Sequence, residues 1–348
     1  MSRSIDPGIW AVLSAALLFG AGTPIAKHIL HDVDAWTLAG LLYLGSGVGL
    51  ALWRVLTRAV PVRLPRSEVG WLATAILAGG VAGPVLLLLG LSRTPASGAS
   101  LLLNAEGVFT ALIAWFVFRE NFDRRIAVGM ALIAAGALWL SWSPGAELAQ
   151  FWPAAAILGA CLCWGIDNNL TRKVSLADAT WIAMIKGIVA GSINLALSRG
   201  AGGHWPAPRV IGLAAIVGLL AYGISLVLFV IGLRRLGTAR TGAYFSIAPF
   251  FGALLAITAG EAVTIQLVGA GLLMAAGVWL HVSERHVHEH VHEALEHEHE
   301  HSHDEHHQHE HPDGSAPEAG VRHTHWHRHA PLKHSHGHFP DAHHLHSH

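Results

Sequence analysis

Charge is the first thing this chain lacks. Only 13% of its 348 residues are Asp, Glu, Lys or Arg, against about 25% in an average soluble domain. Hydrophobic residues make up 52%, so too little charge remains to cover a soluble globule. Cysteine is as scarce: Cys161 and Cys163 stand two positions apart in an apolar run. That excludes a disulfide scaffold and a four-cysteine zinc module, and leaves them as small packing residues. Nucleic acid is excluded as a partner, because Lys and Arg fall in short clusters between apolar stretches and build no soluble basic face. No nucleophile, base and orienting group follow a recognisable pattern either, so nothing supports an enzyme.

What is present is divided unevenly. Residues 1–280 hold 18 Lys and Arg against 11 Asp and Glu, whereas residues 281–348 hold 4 against 12. Of the 27 histidines, only His28, His31 and His204 precede residue 281. The first region divides into ten stretches of the roughly 20 apolar residues that cross a bilayer as a helix. Their limits are 8–26, 35–53, 69–91, 97–118, 125–142, 153–171, 177–198, 209–231, 239–259 and 262–282. The first could pass for a secretory signal, but nine further spans and a counterpart at 153–171 argue that it stays. With the N-terminus inside, the loops put 14 Lys and Arg on the cytoplasmic side and 4, Lys27, Arg93, Arg199 and Arg209, on the other. Both termini are therefore expected in the cytoplasm and the chain in the plasma (inner) membrane.

The chain also repeats itself. GLSRTPASGASLLLNAEGVFTALIA from Gly90 lies without a gap over GLRRLGTARTGAYFSIAPFFGALLA from Gly232, matching Arg93 with Arg235 and Phe109 with Phe251. Phe19-Gly20 falls on Trp164-Gly165. Two halves of five helices follow, 1–142 and 153–283, with 284–348 as a tail. Because five is odd, the second half enters from the opposite side, as in inverted-repeat transporters. The expected fold is thus an all-α integral membrane protein of ten transmembrane helices in a 5+5 inverted repeat, with a disordered His-rich tail.

Four segments, LLFGAGTPIAK at 17–27, LLLNAEGVFTALIAWFVFRE at 101–120, CWGIDNNLTRK at 163–173 and APFFGALLAITAGE at 248–261, resemble the EamA type of the drug/metabolite transporter superfamily. The resemblance covers residues 8–283 and implies a ten-helix carrier of a small organic solute, often exporting. That family often has Pro where Gly107 stands here, whereas the second half keeps Pro249. The helix break in span 4 is accordingly expected to be softer than that in span 9.

Ionisable groups at bilayer depth cost about 2.5–3.5 kcal/mol on insertion scales, so each needs a partner or a purpose. Glu106 falls midway along span 4, Lys186 midway along span 7 and Asp167 near the end of span 6. Glu106 is expected to face a central cavity, where it either pairs with Lys186, in a functional or a purely structural ion pair, or takes up a proton. Asp167, Asn168 and Asn169 form a polar cluster that either serves the solute or caps span 6. Trp164, Tyr222 and Tyr244 are candidates to line the cavity. Gly20 to Pro24 invites a kink, or close packing of small residues.

In the tail, His286, His288, His290, His292, His297, His299, His301, His303, His306, His307, His309 and His311 alternate with carboxylates, and HTHWHRH follows at 323–329. Were the last helix to continue, His286 with His290 and His288 with His292 would lie one turn apart and chelate in pairs. Imidazole suits zinc, nickel, cobalt and copper, so the tail is expected to bind such ions, although no cofactor is required. The expected function is a secondary transporter of a small organic metabolite with a regulatory metal-binding tail; membrane lipid and the solute are its partners. A divalent-metal transporter and a membrane metal sensor or buffer that does not transport are the alternatives. Against the first, the spans hold no cluster of His, Cys and carboxylate; against the second, five-plus-five symmetry has no use in a buffer.

Overall fold

The computed structural model describes residues 7–62, 64–118, 124–141, 151–174, 177–282, 287–292, 296–301, 323–328 and 332–337. Two compact units emerge, a helical one and a tail unit, Arg285–His338. In chain order the helices are α1 (Pro7–Ile29), α2 (Ala35–Leu56), α3 (Arg66–Ala75), a π-helical segment π1 (Ile76–Ala82), α4 (Gly83–Leu91), α5 (Ala96–Leu102), α6 (Ala105–Phe116), α7 (Arg124–Ser141) and α8 (Trp152–Val174). They continue with α9 (Ala179–Gly200), α10 (Pro208–Val217), π2 (Gly218–Ile224), α11 (Ser225–Phe245), α12 (Ala248–Thr258) and α13 (Ile265–Val282).

Six continuous helices are long and apolar enough to cross a bilayer: Pro7–Ile29, Ala35–Leu56, Arg66–Leu91, Ala96–Phe116, Ala179–Gly200 and Pro208–Leu236. Ala127–Ser141, Ala248–Thr258 and Ile265–Leu280 are shorter apolar helices. α8 is as long as α1, but Asp167, Asn168, Asn169, Arg172 and Lys173 make its C-terminal half polar. Large apolar side chains such as Trp10, Leu52, Trp53, Leu138, Leu272 and Trp279 lie on the outside, as a lipid-facing surface requires.

Local sequence explains several boundaries. Asp34 and Asp178 are helix N-caps whose carboxylates accept from Thr37 N at 2.9 Å and Trp181 N at 2.8 Å, each satisfying one of the otherwise unpaired first-turn amides. The two helices so started, α2 and α9, pack along their length. Thr37 and Ser198 hydroxyls meet at 2.6 Å at one end and Arg54 bonds to Asp178 at the other, so they run antiparallel. Gly47 and Gly187 permit this approach: a Cβ on either would strike the other helix's backbone. Asp178 is held below the usual carboxylate range: burial pushes it up, but bonds from Thr180 and Trp181 and the Arg54 charge outweigh that.

π1 and π2 lie at the same sequence offset as the Gly90–Gly232 match. Span 4 breaks in a turn at Leu103-Asn104 between α5 and α6, and span 9 breaks at Ser246-Ile247 between α11 and α12. The break expected to be softer is as complete as its counterpart. Tight turns, Leu103 N to Ser100 O at 3.1 Å and Asn104 N to Leu101 O at 3.0 Å, end α5 without a proline. α1, by contrast, is continuous through Pro24, and Gly20 packs against Ala248 and Phe251, so the small-residue run serves close packing.

The tail unit is described in four short segments only. It contains strands β1 (Val287–His292), β2 (Glu296–His301), β3 (His323–Arg328) and β4 (Leu332–Gly337), paired antiparallel as β1 with β4 and β2 with β3. The alternation of His with Glu every second position matches the period of a strand. β1 also replaces the helical continuation that would have paired His288 with His292 one turn apart. His286, His303, His306, His307, His309 and His311 lie outside the described residues.

Candidate functional site

The site is built where α6, α8 and α9 meet π1. The break before α6 places Glu106 in that helix's first turn, where unpaired amides favour an acidic residue. Thr110 follows one turn later on the same face. α8 faces them closely because Gly165 lies against Phe109 and Thr110, where any Cβ would be crowded.

α8 carries two polar sets on adjacent faces. Asp167 and Thr171 sit one turn apart, and Lys186 of α9 donates to Asp167 Oδ1 at 2.5 Å and to Thr171 Oγ1 at 2.9 Å. Thr171 also donates to Asp167 Oδ1 at 2.8 Å. Lys186 is 2% exposed and Asp167 8%. On the other face, Asn168 Nδ2 donates to Glu106 Oε1 at 2.8 Å and to Thr110 Oγ1 at 3.4 Å. Asn169 Nδ2 bonds to Thr110 O at 3.0 Å and to Gly165 O at 2.8 Å. Glu106 and Asn168 are only partly buried.

The expected Glu106–Lys186 pair is therefore not formed: Lys186 belongs to Asp167, and Glu106 to Asn168. Nor do Asp167, Asn168 and Asn169 merely cap α8, since all three reach neighbouring helices or their side chains. π1 contributes carbonyls. A π turn leaves backbone oxygens out of the usual ladder, and Gly79 O accepts from Tyr43 Oη at 2.8 Å and from Trp164 Nε1 at 2.9 Å. Asn194 Nδ2 donates to Gly80 O at 3.0 Å. A Cβ at Gly79 would overlap the Asp167 carboxylate, so only glycine fits there.

Aromatic rings adjoin the polar sets. Phe19 stands edge-on to Trp164 and to Tyr222, both with centroids 5.9 Å away, and lies 5.4 Å from Phe245. Tyr43 and Tyr222 are 5.3 Å apart. Trp164 and Tyr222 belong to this cluster, and Phe245, the neighbour of Tyr244, supplies the ring from α11. Phe19, Tyr43, Thr110, Thr171, Asn194 and Phe245 escaped the sequence reading; the one signal was the Gly79-Gly80 pair. Cys161 is buried with Sγ 3.7 Å from Leu102 O, in keeping with packing. Among the described residues no three His, Cys, Asp or Glu converge to hold a metal ion.

The loop joining α4 and α5 is pinned by both halves. Lys27 Nζ donates to Leu91 O at 2.6 Å and Thr94 O at 2.9 Å, capping α4. Glu261 accepts from Ala96 N at 2.7 Å and Ser97 N at 2.8 Å, capping α5. Burial pushes the Glu261 carboxyl up, but the bonds from Ser97 and Ala96 and the Lys27 charge outweigh it and hold it below the usual range.

This architecture has relatives. The family model for EamA-like transporters matches residues 6–142 and again residues 151–283. An "Uncharacterized transporter" of Methanothermobacter thermautotrophicus is 26% identical over 292 residues, 78% of this chain and 85% of that one. The "Probable amino-acid metabolite efflux pump" of Salmonella typhimurium is 29% identical over 205 residues, 54% of this chain and 68% of that one. The "Probable 4-amino-4-deoxy-L-arabinose-phosphoundecaprenol flippase subunit ArnE" of Pseudomonas fluorescens is 42% identical over 78 residues, 22% of this chain and 68% of that one. A solved crystal structure shares the fold with a TM-score of 0.64 at 17% identity, over 80% of this chain and 96% of its own. With large apolar side chains on the outside of its helices, a few polar groups buried within and a transporter family matched twice along the same chain, this membrane protein belongs to the EamA-like transporter family.

Proposed function

We propose that the protein is a secondary carrier that exports a small organic solute by alternating access, with Glu106 and Asn168 contacting solute or coupling ion. In this reading ten spans form two inverted halves, both termini face the cytoplasm, and the plasma membrane is the site of action. The observation that carries it is the division of labour among the polar groups. Lys186, Asp167 and Thr171 satisfy one another in a buried triad, while Glu106 accepts from the neutral amide of Asn168 and keeps partial exposure beside Thr110. A carboxylate so placed favours an amine-bearing solute or a proton. The adjoining rings of Phe19, Trp164, Tyr222 and Phe245 suit an organic body. The repeated π segments and paired helix breaks support movement of one half against the other, since broken helices are how such carriers build midplane sites. The efflux-pump name of one relative supports export.

The test is transport in proteoliposomes, offering amino acids, organic amines and divalent metals to the full chain and to Glu106→Gln. Uptake or exchange of an organic solute, lost in the variant, is expected. Movement of metals alone, or full activity of Glu106→Gln, would overturn the reading.

A further inference from the structure

Span 4 is shut in one half and open in the other. All seven residues of α5 are buried, whereas every residue of α6 between Ala105 and Ala114 is only half-buried. The change falls at the break that sets Glu106 in place. The offset that lays Gly90 on Gly232 also lays Ser100 on Gly242 and Thr110 on Gly252. In two inverted halves, the contact of Ser100 with Gly252 on one side of the membrane corresponds to that of Gly242 with Thr110 on the other. The first contact is closed: a Cβ on Gly252 would lie 2.6 Å from Ser100 Oγ and 2.7 Å from Gly20 O, so α12, α5 and α1 meet there. The second is not closed, because a Cβ on Gly242 would meet nothing of another helix within 4 Å. α5 accordingly packs on α12, and α6 makes no comparable contact with α11.

The shut side is also the side that carries a tie. Glu261, which the turn at Gly260 (φ +104°) sets just beyond α12, accepts from the first amides of α5, those of Ala96 and Ser97. α5 cannot part from α12 without breaking both bonds. Lys27, at the end of α1, holds the carbonyls of Leu91 and Thr94 on the loop that leads into α5, and α1 packs on both α5 and α12. Charge-assisted bonds of this kind are strong enough to bias an equilibrium, and at partly buried positions they can still be released.

We propose that the structure is one end state of the carrier, closed at α1, α5 and α12 and open between α6 and α11, and that Lys27 and Glu261 are the lock on the closed side. In the orientation of the carrier reading the closed side is the outer one, so Glu106 is presented to the cytoplasm. The lock rests on that reading, because only a molecule that alternates needs a seal it can release.

Accessibility rather than flux tests it. In the full chain with Cys161→Ala/Cys163→Ala, held in lipid nanodiscs so that both faces meet solvent, single cysteines are labelled with a charged maleimide. Ser100→Cys should label slowly and its counterpart Gly242→Cys fast. Adding Glu261→Gln should speed Ser100→Cys by about threefold, what a charge at a helix end is worth in an equilibrium. Lys27→Met, which removes two charge-assisted bonds, should speed it by about tenfold, and Lys27→Arg should leave it slow. Ser198→Cys, buried between α2 and α9, should respond to none of these changes. If Ser198→Cys speeds up as much as Ser100→Cys, the ties only stabilise the fold; if Ser100→Cys does not respond, they seal nothing. Either result overturns the proposal, as does fast labelling of Ser100→Cys with Lys27 and Glu261 in place. Glu261→Gln keeps the length of the side chain it replaces, so the test stands even if Lys27→Met does not assemble. A selective response in a protein that moves none of the offered solutes upholds the lock and counts against the solute assignment, whereas transport without that response counts against the lock alone.

Discussion

Asp167 and Glu106 are both acids inside the same helical unit, and their surroundings are opposite. Asp167 is closed in by Lys186 and Thr171, so its charge is matched and its oxygens are used. Glu106 meets neutral partners, Asn168 directly and Thr110 through it, and remains partly open. A fully satisfied buried group holds helices together, whereas one left with spare capacity can receive something that arrives. The contrast separates what keeps α8 and α9 in place from what a solute would meet.

The contrast can be broken by measurements ordered by their effect on stability. Lys186→Met should cost about 3–5 kcal/mol, the penalty for stranding one member of a buried ion pair, and Asp167→Asn/Lys186→Met should recover most of it. Thermal unfolding in detergent checks both; a single variant as stable as wild type would dissolve the distinction. Glu261→Gln should cost about 1 kcal/mol, because it weakens charge-assisted bonds at the α5 N-terminus. The Glu261 carboxyl is held below its ordinary value of 4.5, so its contribution is complete above that pH and fades as pH falls through the lowered value. The gap between wild type and Glu261→Gln should therefore be constant at pH values well above 4.5 and close as the pH falls through the lowered value of the folded state. Trp164→Phe should cost about 0.5–1.5 kcal/mol, one hydrogen bond to a carbonyl that Tyr43 still satisfies. Glu106→Gln should move stability least, by about 0.5 kcal/mol or less, while abolishing transport. If it unfolds the protein as Lys186→Met does, Glu106 is structural after all.

The parts legible in the sequence were those that the bilayer dictates. Long apolar runs, the repeat from Gly90 to Gly232 and the presence of Glu106, Asp167 and Lys186 within them required no knowledge of neighbours. Partner choice was not legible. When nearly every face of a helix is apolar, periodicity cannot say that Lys186 turns toward α8 rather than α6, and mid-span depth alone suggested the wrong acid. The π segments were hidden for a different reason: aligned at the repeat offset, ILAGGVA and GLLAYGI coincide only at Leu77 and Leu219. In the tail the alternation of His with Glu was read as polarity, which argues against a core, when its period of two is also that of a strand. Which residues pair across β2 and β3 depends on segments more than twenty residues apart, and no local pattern states it.

π1 and π2 also bear on how this chain can change length. A π turn accommodates an extra residue without rotating the flanking α-helices, so removing one residue from Ile76–Ala82 or Gly218–Ile224 would relax the segment toward an ordinary α-helix. The faces of α3 and α4, or of α10 and α11, would keep their directions, whereas the same deletion elsewhere in these helices would turn everything beyond it by about 100°. These two segments are therefore where the long helices tolerate deletion in their backbone. In π1 the cost falls on two backbone oxygens, Gly79, on which Tyr43 and Trp164 both depend, and Gly80, which accepts from Asn194.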